Sequence, residues 1–144
     1  MLAQNFKAAN DLGLSESQFS ALSKTLVLLE TGKLKLADVG NKFDHEAKRK
    51  FDGLFNMSCW GAVSHVCGTI ACIGGTAEII GDVSFGNWIE HKEKLPPNLY
   101  ELFYARDIID MYRWNDITPS QASVALRSYL TTGEANWKLA VSSC

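Results

Sequence analysis

Residues 56–75, NMSCWGAVSHVCGTIACIGG, bring together three of the chain's four cysteines and one of its three histidines. Cys59, His65, Cys67 and Cys72 form a C-x5-H-x-C-x4-C set, made of the donor types that tetrahedral zinc accepts. The spacing lacks the close Cys-x2–4-Cys pair usual at a zinc-binding turn. Structural zinc is therefore one reading of the four residues, and core packing is the other. Cys67 is also a candidate nucleophile. It precedes a helical pattern, where backbone N–H groups favour thiolate over thiol. His65 lies close enough in sequence to act as its base, and Glu78 or His91 would orient the pair. The competing reading makes Cys67 a small apolar residue packed at a helix start. A Cys67–Cys72 disulfide is disfavoured further, because at that separation on or near a helix the Cα atoms would lie beyond the ~7 Å limit.

Two further chemistries fail for want of particular residues. Ser58-Cys59-Trp60 echoes the nucleophile region of papain-like proteases, but Gly53 stands where that family has its oxyanion-hole glutamine. The catalytic histidine belongs ~130–150 residues downstream of the nucleophile, and this chain ends at residue 144 with only His65 and His91 after Cys59. Gly68–Thr76 is glycine-rich, yet a phosphate-binding loop closes on Gly-Lys-Ser/Thr and no lysine is present; the G-x-G-x-x-G pattern is absent too. A packing role accounts for more of the stretch. Gly68, Ala71, Gly74, Gly75 and Ala77 are small, and isoleucines surround them. This predicts a buried central helix whose glycines admit a neighbouring helix or an aromatic ring, with Trp60, Trp88, Trp114 and Trp137 as candidates.

The elements that must position these residues read mostly as helices. Ser15 and Gln18 form a capping box ahead of Phe19, Leu22, Leu26 and Leu29, with Gly32 as the stop. A second helical pattern runs through Phe43, Ala47, Phe51 and Leu54–Phe55, with Asp44 as its cap. A third begins near Thr69 and ends at Gly81. A fourth follows Pro96-Pro97, capped by Asn98, and carries Leu99, Leu102, Phe103 and Ile109. The last opens at Thr118 with Pro119 at the first helical position and Gln121 completing a second capping box; Gly133 stops it. Asp82–Leu95 reads as a loop or short strand, and Lys33–Val39 alternates as a strand would. The expected fold is mainly α: one domain over residues 1–144, an irregular bundle of about five helices with room for a minor two-stranded β element.

Composition narrows the function classes. Of 144 residues, 47% are apolar, enough for a core without a disulfide or metal staple. A formal charge of −2 gives no field that would hold nucleic acid. The basic run Lys48-Arg49-Lys50 is flanked by Asp44, Glu46 and Asp52, as on a solvated mixed-charge face. No apolar run approaches the ~20 residues needed to span a bilayer, and no signal-peptide core is visible. Unevenly spaced cysteines without an export signal point to reduced thiols in the cytoplasm.

Cys67-Gly68-Thr69-Ile70-Ala71-Cys72-Ile73-Gly74-Gly75 resembles the C-G-T-x-x-C-x-x-G signature of a group of small bacterial and phage proteins of uncharacterised activity. Leu102-Phe103, Ile117–Ala122 continuing to Leu130, Thr132-Gly133-Glu134 and Trp137 resemble the same group. The chain departs at Gly75-Thr76, where the group often has an aromatic residue or histidine. The resemblance implies a bacterial or phage origin and brings no activity or cofactor with it. With no coherent catalytic set, the reading leans away from an enzyme. It favours a small helical domain that binds a protein partner; Trp88, Tyr104, Tyr112 and Trp114 are the candidate surface, and the competing reading places these aromatics in the core, where such residues more often lie. The alternative is a thiol-dependent protein, with zinc at Cys59, His65, Cys67 and Cys72 or with Cys67 as nucleophile.

Overall fold

A computed structural model describes residues 6–37, 49–58, 62–64, 68–86, 91–108 and 113–142. The architecture is mainly α. In chain order the elements are α1 (Glu16–Glu30), β1 (Lys35–Leu36), β2 (Leu54–Phe55), β3 (Ala62–Ser64), β4 (Gly68–Ala71), α2 (Ile73–Gly81), α3 (His91–Lys94), α4 (Pro97–Tyr104), α5 (Pro119–Thr132) and α6 (Trp137–Ser142). Single 3-10 turns occupy Ala9–Leu12, Arg106–Ile108 and Trp114–Asp116.

The two capping boxes define the longest helices. In α1 the Gln18 amide donates to the Ser15 hydroxyl at 3.1 Å while the Gln18 side chain accepts from the Ser15 N–H. In α5 Thr118 and Gln121 repeat the arrangement, Pro119 holds the first helical position, and Gly133 ends the helix at φ +89°. A side-chain cap of this kind contributes about 1 kcal/mol by satisfying an otherwise orphaned amide. Leu22 and Leu26 of α1 and Ala122, Ala125, Leu126 and Leu130 of α5 are buried as their periodicity predicts. One apolar cluster runs from Ala9 to Ala140 and takes in residues of α1, α2, α4, α5 and α6. Helix α1 packs most extensively on α2 and next on α5.

The β element is larger than alternation alone suggests. Four short strands lie in the order β1-β2-β4-β3; β1/β2 and β2/β4 are parallel, and β3/β4 is antiparallel. Two helix assignments change as a result. The second expected helix falls partly outside the described residues, and its described part is not helical: residues 49–53 are irregular and Leu54–Phe55 is β2. Its backbone is tied sideways. The Lys50 N–H donates to the Thr69 hydroxyl at 3.2 Å, the Thr69 N–H donates to the Asp52 carboxylate at 2.7 Å, and Gly53 turns the chain at φ +73°. The third helix starts at Ile73 instead of near Thr69, because Gly68–Ala71 pair with both β2 and β3.

The fourth helix begins at Pro97, with Asn98 inside it and Pro96 as an N-cap that makes no side-chain bond. Pro97 has no N–H to satisfy, so the missing cap leaves one fewer orphan. Ile109 lies outside the described residues. The short helices α3 and α6 carry too few turns to announce themselves by periodicity.

Candidate functional site

The described part of the cysteine stretch resolves into a turn, two strands, a cap and a helix start. β4 ends at Ala71, and Cys72 adopts extended geometry (φ −81°, ψ −170°) before α2 opens. The Gly75 N–H donates to its Sγ at 3.4 Å, so the buried thiol serves as the N-cap of α2. Ser or Asp more often fills this position. Of the four residues expected to gather around zinc or a nucleophile, Cys72 alone is described; Cys59, His65 and Cys67 lie outside the described residues, as does Cys144. Among the described residues, no His, Cys, Asp and Glu side chains gather in a group of three or more that could hold a metal ion.

Glu78, the one charge expected in the buried helix, is 8% exposed and holds two segments to α2. The Phe85 N–H donates to its Oε2 at 2.8 Å, and Arg49 Nη2 lies 3.7 Å from its Oε1. The carboxylate thus fastens both the loop that leaves α2 and the irregular segment that leads into β2. A small residue admits a close neighbour at the end of this helix, at Gly81. A Cβ built on Gly81 would sit 2.5 Å from the Cβ of Ala21, so the neighbour is α1. Gly81 is the last residue of α2, and Asp82, at φ +50°, provides the stop. Of the four tryptophans, Trp60 and Trp88 lie outside the described residues. The Trp137 indole instead donates to the Glu101 and Leu102 carbonyls of α4, at 3.0 and 3.3 Å.

Beside the α2 cap lies a row of aromatic rings. Leu99, Leu102 and Phe103 turn α4 toward the core, which leaves Tyr100 and Tyr104 half-buried along its flank. One helical turn apart, their rings stack at 4.7 Å with 33° between planes. Tyr104 then meets Trp114, centroids 6.4 Å apart at 55°. Trp114 reaches this place because Ile117, fully buried just beyond it, anchors the 3-10 turn. The Ser58 hydroxyl donates to Asn115 Oδ1 at 2.5 Å, which ties the same turn to the segment after β2. Burial pushes the Tyr104 phenol up to about 12, and nearby Cys72, Tyr100 and Glu78 add to the effect. Trp114 is half-buried, yet its Nε1 is shielded from water and has no acceptor among the described residues.

Tyr104 and Trp114 are therefore neighbours, while Trp88 and Tyr112 lie outside the described residues. Tyr100 was not singled out by sequence; its i, i+4 relation to Tyr104 on a helix is the signal that identifies it.

A separate cleft of about 660 Å³ opens between α4, the turn Arg106–Ile108 and the end of α5. Glu101, Asp107 and Glu134 line it, together with Asn98, Ser128 and Thr132. Burial raises the Glu101 carboxyl above its ordinary value, although the Asp107 N–H donates to its Oε2 at 2.6 Å. The hydroxyls are committed to backbone: Ser128 donates to the Glu134 carbonyl and Thr132 to the Ser128 carbonyl, both at 2.7 Å. No nucleophile–base pair forms among these lining residues. Sequence could not reveal this cleft, since its walls come from segments far apart in the chain.

No described helix is long and apolar enough to cross a membrane. Compared with models of known protein families, with curated proteins and with solved structures, the chain matches none.

Proposed function

We propose that this chain is a non-enzymatic helical binding domain, an accessory protein of bacterial or phage origin that docks a protein partner on the surface formed by Tyr100, Tyr104 and Trp114. The observation that carries the reading is the row of three half-buried rings at successive centroid distances of 4.7 and 6.4 Å. Phe55, Phe85, Phe103, Tyr129 and Trp137 are buried in the core, whereas the three rings of this row stay half-buried, as do Phe6 and Phe19, and Phe51 is exposed. Tyr and Trp are the residue types enriched where interfaces concentrate their energy, because each offers a large rigid face and a polar edge. A net charge of −2 favours a protein over a polyanionic partner. The thiol-dependent alternative has less support. The described cysteine, Cys72, already has a structural task as the cap of α2.

The test is affinity capture from a bacterial lysate with the wild-type chain and with Tyr100→Ala and Trp114→Ala, each first checked for native circular dichroism. Loss of a central interface aromatic costs roughly 2 kcal/mol or more, about 30-fold in affinity. Partners retained by the wild type should fall by at least an order of magnitude on both variants. Equal retention by all three proteins removes this surface from the account.

A further inference from the structure

We draw no further inference here: the strongest candidate, the cleft between α4 and the end of α5 lined by Glu101, Asp107 and Glu134, is a cluster of carboxylates, and nothing in the structure points to the ligand that would fill it.

Discussion

Replacing Gly81 with alanine tests a close approach between α1 and α2. In an isolated helix Gly→Ala is stabilising by about 1 kcal/mol, because alanine loses less backbone entropy. Here the new methyl would lie 2.5 Å from the Ala21 Cβ and 3.4 Å from its Cα. Two methyl carbons in contact prefer roughly 3.5–4 Å, so the α1–α2 pair would have to separate by about 1 Å. Ala21 is 1% exposed and has no rotamer through which to yield. Overpacking of this kind costs typically 1–3 kcal/mol, which outweighs the propensity gain. The expected outcome is a Gly81→Ala protein less stable by up to about 2 kcal/mol, measured as a lower urea midpoint at unchanged m-value. Ala21→Gly supplies the complementary space. In that background Gly81→Ala should become neutral or stabilising, giving a coupling of about 1–3 kcal/mol in the double-mutant cycle. A Gly81→Ala protein at least as stable as wild type, or a cycle that sums without coupling, refutes the close-approach reasoning.

Three other expectations follow from the same geometry. Thr118→Ala removes the hydroxyl that accepts the Gln121 N–H and should cost about 1 kcal/mol in denaturant unfolding; an unchanged midpoint would show that the cap contributes nothing. Asp82→Gly relieves an exposed residue held at φ +50° and should raise stability by several tenths to about 1 kcal/mol, whereas a loss would mean that the Asp82 side chain is itself needed. Burial raises the phenols of Tyr104 and Tyr129 from 10 to about 12, so the unfolded chain ionises first as pH climbs. Stability from these groups is complete below about pH 10 and declines toward pH 12. Urea midpoints across that window, together with tyrosinate absorbance, check the sign; a flat profile contradicts it.

The helices that sequence makes legible are those whose signals are local. Ser15/Gln18 and Thr118/Gln121 state their helix starts within four residues, and both capping boxes form as expected. What sequence hides here depends on partners distant along the chain. Gly68–Ala71 extends the apolar, small-residue pattern of α2 and looks continuous with it. It becomes a strand because Leu54–Phe55 and Ala62–Ser64 offer their backbones on either side. Phe51 and Leu54–Phe55 satisfy helical spacing equally well, until Asp52 and Lys50 engage Thr69 across the sheet. Gly81 shows the same limit at the level of one residue. Its position after an apolar run suggests a stop, but its meaning lies in Ala21, sixty positions earlier. At the candidate site, sequence names Tyr104 and Trp114 as candidate surface aromatics, with Trp114 equally a candidate to pack on the buried helix. The place of Tyr100 follows from its i, i+4 spacing to Tyr104 on α4, whereas the meeting of Tyr104 with Trp114 joins separate elements and has no local signal.

Site-specific photo-cross-linking tests the central claim most directly. A benzophenone side chain placed at Tyr100, on the aromatic row, is compared with one at Lys24, exposed on α1. After irradiation in bacterial lysate, the account predicts a discrete, high-mass protein adduct from position 100 and none from position 24, with the adduct suppressed by Trp114→Ala. Equal labelling from both positions, or no adduct from position 100, contradicts the assignment of the Tyr100–Tyr104–Trp114 surface as the place where this domain meets its partner.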